Sequence, residues 1–200
     1  MPQIILQLRR DPVLRAGAET AAEALCERAR DRRMFQDHRI ECVLRDADVA
    51  GQFGDRHVEM RQHIFAQDPR VLYVSSHQMP LYPGTGARHE KGVGNICNAP
   101  LAPYAGSAEF RDAMEEIALP AIERFKPEFL LISAGFDAHR ADPLAALELE
   151  TEDYTWITEQ LCALADNLCE GRVVSTLEGG YDLNALAEST AAHVTALQKA

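Results

Sequence analysis

Two hundred residues, 46% of them hydrophobic and 26% charged, suffice for one α/β domain with a packed core or for part of a larger one. A net charge of −11 argues against a phosphate-reading nucleic-acid surface, which needs clustered Lys and Arg. No apolar run reaches the roughly 18 to 20 residues of a bilayer span, and the opening MPQIILQLRRDPVLR has no apolar stretch followed by a small-residue cleavage site, so a cytoplasmic chain without a membrane partner is expected.

The five cysteines (Cys26, Cys42, Cys97, Cys162 and Cys169) form no Cys-x-x-Cys pair and match no zinc-finger spacing, so reduced thiols are expected. Charge is unevenly placed. Residues 1–62 hold eleven arginines, no lysine and eleven acids, whereas the remainder holds nine basic and twenty acidic residues and carries the whole net charge. Such an asymmetry marks a candidate boundary, dividing the chain into 1–61 and 62–200.

In chain order, residues 17–33 suit a helix, being rich in alanine with mixed charges at i,i+4 spacing. IECVL is a candidate short strand, and RDADVAGQFGDRH reads as a loop. Beyond His63 the signals sharpen. Val71–Ser76 is an apolar, β-rich run entering a long Gly/Pro loop, QMPLYPGTGARHEKGVGN. Residues 107–126 place Phe110, Met114, Ile117, Ala118, Ala121 and Ile122 on one helical face, and Pro120 should kink or divide that helix. Phe129–Ala134 is a second buried strand, and 152–169 a second helix with Thr151 as candidate N-cap. Arg172–Leu177 is a third strand, and 184–198 a closing helix.

This alternation implies a parallel sheet built by right-handed crossovers, with functional groups gathered in loops at the carboxyl ends of the strands. Two such loops carry chemistry. In SAGFDAHRADP, Asp137 follows the strand closely: it either binds a metal or caps a turn. In EGGYDL, paired glycines bring Tyr181 close to a ligand, where its hydroxyl either donates to a developing oxyanion or closes a strand-end turn. A nucleotide site is disfavoured, because no G-x-G-x-x-G opens a helix and GVGN lacks the Walker lysine.

SAGFDAHRADPLA, followed about forty residues later by EGGYDLNALA, resembles the last two active-site motifs of the zinc-dependent histone deacetylase, acetoin-utilization and acetylpolyamine amidohydrolase family. QHIFAQDPRVLYVSSHQMPLYPGTG, GVGNICNAPLAPYAGSAEF and LPAIERFKPEFLLISAGFDAH resemble the segments preceding them, so the resemblance spans roughly residues 62–198. It implies the carboxyl-terminal half of a three-layer α/β/α, arginase/deacetylase-like domain. Asp137 then matches a zinc carboxylate, and Tyr181 the tyrosine that polarises the acetyl carbonyl. Ser75 and Ser76 match a stretch that in some members helps to hold a monovalent cation. His139 and His77 are expected to be non-ligating. The implied cofactor is Zn2+, and the implied substrates are acetylated small molecules such as acetylpolyamines, or acetyl-lysine in proteins.

The family's other two zinc ligands come from an Asp-x-Asp-x-His-His-Gly-Asn-Gly motif, expected just before QHIF. Here Asp46-Ala47-Asp48-Val49 is followed by Ala50 and Gly51 where histidines should stand. A substitute ligand set of His57 with Asp48 or Asp55 is disfavoured, because three-ligand zinc geometry is strictly set. The tandem proton-handling histidines are also without a counterpart in residues 1–61. The expectation is a truncated, frame-shifted or diverged chain with little zinc hydrolase activity of its own. The alternative is a binding or scaffold protein whose exposed sheet edge favours oligomers.

Overall fold

The computed structural model describes the backbone of residues 3–8 and the full residues 65–81 and 84–199. The helix expected over 17–33, the IECVL strand, the following loop and the Asp48/Asp55/His57 alternative lie outside the described residues.

Apolar, β-branched runs alternate with amphipathic ones, and the elements follow that pattern. The strands are β1 (Gln3–Leu8), β2 (Val71–Gln78), β3 (Ile96–Leu101), β4 (Phe129–Ala134) and β5 (Val173–Leu177). The helices are α1 (Ser107–Ala113), α2 (Leu119–Phe125), α3 (Thr151–Cys169) and α4 (Leu183–Lys199), with a π-turn at Met114–Ala118 between α1 and α2. The sheet order is β3-β2-β1-β4-β5. β2 and β3 pair in parallel, as do β4 and β5, in keeping with crossover connections.

β1 was not anticipated. It lies between β2 and β4 and runs antiparallel to both, in register from Gln3 opposite Ser76 to Leu8 opposite Val71, and from Ile4 opposite Ser133 to Leu8 opposite Phe129. The expected parallel sheet therefore holds for the other four strands, and the five-stranded sheet is mixed. A short QIILQL run fixes β-propensity without fixing direction, since either polarity satisfies its backbone hydrogen bonds. β3 was likewise not anticipated; it follows directly on the long Gly/Pro loop. Its ICNAPL sequence carries Asn98 and Pro100, and it is tolerated as a strand because β3 is an edge, where Pro100 faces no further strand.

The helical stretch over 107–125 is divided as expected, but the disturbance precedes the proline. Pro120 stands in the first turn of α2, where its missing N–H costs nothing, and the π-turn upstream absorbs the break. Phe110, Met114, Ala118 and Ile122 stay buried in one stripe. They pack with Leu72 and Val74 of β2 and Leu130 and Ile132 of β4 in the main core, where each fully buried large side chain contributes roughly 1.5–3 kcal/mol.

α3 begins at Thr151, the residue expected as its cap, so the cap lies one residue earlier. Glu150 is the N-cap, and its N–H donates to Asp153 Oδ2 at 3.0 Å. Asp153 is fully buried and also accepts from Ser107 Oγ at 2.5 Å and from Arg111 Nε at 2.9 Å, tying α3 to α1. α4 buries Ala185, Ser189, His193 and Ala196, a stripe at helical spacing. No helix among the described residues is long and apolar enough to cross a membrane.

Candidate active site

β4 and β5 are adjacent and parallel, so the loops leaving their carboxyl ends emerge side by side. Phe136 N–H donates to Gly179 O at 2.8 Å and Glu178 N–H to Ala134 O at 3.0 Å, joining the two loops by backbone. Ser133 Oγ donates to Glu178 Oε1 at 2.5 Å across the same boundary. The Asp137 and Tyr181 segments are thus brought together at one end of the sheet.

Asp137 is 1% exposed, and burial pushes its carboxyl above the ordinary range. Gly179 explains part of that enclosure. A Cβ there would stand 2.9 Å from Asp137 Cγ and Oδ2, so only glycine lets the second loop close over the carboxylate. Tyr181 is half-buried. Burial, then the Asp137 and Asp142 carboxylates, raise its phenol, so the hydroxyl stays protonated and able to donate at neutral pH.

Asp142, five residues after Asp137 in the same motif, holds this loop. It is buried, and its Oδ2 accepts from Tyr181 N–H at 2.7 Å and Asp182 N–H at 3.3 Å. Its Oδ1 accepts from Leu144 N–H at 2.9 Å, an Asx turn that the Asp-Pro pair could have signalled. Asp182 in turn caps α4, accepting from Asn184 and Ala185 N–H at 3.1 and 2.8 Å. The backbone of Tyr181 and the residue that follows it are therefore both anchored.

The histidines of the region are occupied. His139 is buried; its Nδ1 accepts from Ala141 N–H at 3.2 Å, which leaves Nε2–H toward Thr151 Oγ1 at 3.4 Å. His77 is also buried. Its Nε2–H donates to Gly86 O at 2.9 Å, so Nδ1 accepts from Ser75 O–H at 3.0 Å. Gly86 has φ +94°, and a Cβ there would lie 2.3 Å from His77 Nε2, so the contact requires glycine twice over. Ser75 and Ser76 are both buried in β2.

A catalytic zinc centre needs three protein ligands and keeps its fourth position open. Among the described residues, no group of three His, Cys, Asp or Glu side chains could hold a metal ion, so these residues do not fit such a centre.

The "Histone deacetylase domain" family model matches residues 57–197. The chain belongs to the histone deacetylase family. It is 44% identical over 131 residues to a "Probable deacetylase" of Archaeoglobus fulgidus, covering 64% of this chain and 36% of that one. It is 43% identical over 131 residues to "Histone deacetylase 10, chloroplastic" of rice, Oryza sativa subsp. japonica, covering 64% of this chain and 30% of that one. Among solved structures, the HDA15 HD domain aligns with a TM-score of 0.63 at 36% identity, over 68% of this chain and 40% of that one. The acetylpolyamine aminohydrolase from Burkholderia pseudomallei aligns with a TM-score of 0.62 at 29% identity, over 68% of this chain and 40% of that one. The chain thus spans about a third of the curated relatives' length. The α/β, deacetylase-like fold expected from the motifs is the observed one, as part of a domain. Membership of this family points to zinc in general.

Proposed function

We propose that this chain contributes Asp137 as a metal-side carboxylate and Tyr181 as the carbonyl-polarising phenol to hydrolysis of N-acetyl amides, such as acetyl-lysine or acetylpolyamine. We also propose that it does not complete that hydrolysis alone. The observation that supports the first part is the Asp142 clamp on the Tyr181 backbone beside the enclosed Asp137 carboxylate. A phenol kept protonated there donates to the acetyl oxygen as negative charge develops on it, and its fixed backbone spares reorganisation. The second part rests on the donor set: one buried carboxylate cannot supply three ligands, and the described residues contain no group of three His, Cys, Asp or Glu side chains that could hold the metal.

The same reading divides the chain into an amino-terminal segment, 1–61, and a deacetylase-like part, 62–200, and places it in the cytosol. The test uses the purified full chain, with zinc measured by mass spectrometry and turnover followed on an acetyl-lysine peptide. Zinc far below one per chain and no chelator-sensitive turnover are expected. Stoichiometric zinc with chelator-sensitive hydrolysis would sink the claim that this chain does not complete the hydrolysis alone.

A binding or scaffold role is favoured by one observation. β5 is an edge strand, and Val174 and Leu177 on it are 39% and 60% exposed, an apolar edge suited to pairing with another chain. Sedimentation decides this reading: it expects concentration-dependent dimers, and a monomer throughout refutes it.

A further inference from the structure

Away from Asp137, toward the amino-terminal ends of β2 and β3, a cleft of about 500 Å³ opens between the 84–95 loop, β3 and the π-turn–α2 segment. That size falls in the range of about 300–1,000 Å³ typical of small-molecule sites. Its rim carries Arg88, Lys91 and Arg124, against Glu116 as the lining carboxylate. This is three of the nine basic residues that follow Gln62, in a part of the chain that holds twenty acids. Its floor is apolar, with Leu72, Ile96, Ile117 and Phe125.

Two further observations separate these cations from ordinary surface charge. Among the described residues, Arg70, Arg111, Arg140 and Arg172 each form an ion pair, with Asp68, Asp153, Glu150 and Glu170. Arg88 and Arg124 are the two described arginines that form none, and both face this cleft. The loop bearing Arg88 and Lys91 is also held in place. Buried Asn98 donates through Nδ2 to Ala87 O at 3.1 Å and to Glu90 O at 3.3 Å. Asn95, also buried, donates to Phe65 O, Asp68 O and Val71 O, fixing the loop's far end. The charges converge on a common space. Burial raises the Cys97 thiol in this cleft, while Arg124, Lys91 and Arg88 all pull it back down.

We propose that this cleft binds a soluble organic phosphate, its phosphoryl group held by Arg88, Lys91 and Arg124 and its apolar body laid on Ile117 and Phe125. Guanidinium pairs match phosphate oxygens in geometry as well as charge. Three cations against one carboxylate, set over an apolar floor, gain most from an anion with an apolar body.

The test titrates the full chain by calorimetry with phenyl phosphate, inorganic phosphate and phenol. Phenyl phosphate should bind at least about tenfold more tightly than inorganic phosphate, because its ring leaves water for the apolar floor, and phenol should give no heat, because it brings no anion to the three cations. The Arg88→Ala/Arg124→Ala double variant should weaken phenyl phosphate by at least about tenfold, whereas Lys199→Ala should leave it unchanged. Glu116→Gln should tighten binding several-fold, a gain that loss of folding cannot mimic. Equal affinity of wild type and the double variant overturns the site. So does an unchanged affinity in Glu116→Gln, or capture by phosphatidic acid vesicles with no binding of phenyl phosphate.

Discussion

Asp142→Ala removes the acceptor that holds the Tyr181 loop, and its cost can be worked from three bonds. Tyr181 N–H at 2.7 Å, Leu144 N–H at 2.9 Å and Asp182 N–H at 3.3 Å all point at one buried carboxylate. Hydrogen bonds to a charged partner contribute about 1.5–3 kcal/mol each. The longest of the three counts for least, and Tyr181 is half-buried, so water can recover part of the loss. The expected total is about 3–5 kcal/mol, near the upper end of single-residue effects. For a chain of this length, ~1 kcal/mol moves the melting temperature by about 2–4 °C, so a fall of roughly 6–20 °C is expected. Asp142→Asn keeps one acceptor oxygen and should lose clearly less.

The assay pairs thermal melting with amide hydrogen exchange. Protection should fall first at the amides of Tyr181, Asp182 and Leu144, while α3 and β4 keep theirs. A melting temperature within about 1–2 °C of wild type, corresponding to under ~0.5 kcal/mol, would refute the clamp. Uniform loss of protection across the sheet in the milder Asp142→Asn variant would also refute it, since a local anchor should loosen locally.

Two other outcomes follow from the packing. Gly179→Ala should destabilise by about 1–3 kcal/mol, because the new Cβ meets the Asp137 carboxylate at 2.9 Å. In an Asp137→Ala background the same change should cost little, so a double-mutant cycle by denaturant melting that shows no coupling refutes the close approach. His193 is buried with Nδ1 toward Thr158 Oγ1 at 2.7 Å and Nε2 toward Ser175 Oγ at 2.8 Å, and burial lowers its pKa from the ordinary 6.5. A histidine depressed in the folded state takes up its proton more readily when unfolded. Its stabilising contribution is therefore complete above the unfolded pKa and is lost as pH falls below it. The melting temperature should drop from pH 7.5 to pH 5, and His193→Gln should shrink that drop without abolishing it, because His77 is depressed by burial in the same direction. An undiminished drop in the variant would be the contrary result.

The direction of the His193 bonds shows what pattern reading misses. Thr158 O–H donates to Tyr154 O at 2.6 Å, so Thr158 accepts from His193 Nδ1–H, and Nε2 accepts from Ser175. Three residues on α3, β5 and α4 form one directed chain, yet none of them is near another in sequence. The same holds for the link between Asp153 and Arg111. Local spacing cannot code a partner more than forty residues away.

The sequence by itself determined the strand–helix alternation after His63 and the two glycine-bearing loops, and it singled out Asp137 and Tyr181 as candidates. These are local patterns, set by hydrophobic period, by the backbone freedom of glycine and by motif order. Only the tertiary structure decided that β1 enters between β2 and β4 against their direction, that Gly179 closes over Asp137, and that Asp142 grips the backbone of Tyr181. Such choices belong to long-range hydrogen bonding and close packing, where a residue's role is fixed by what the fold sets beside it, not by its neighbours along the chain.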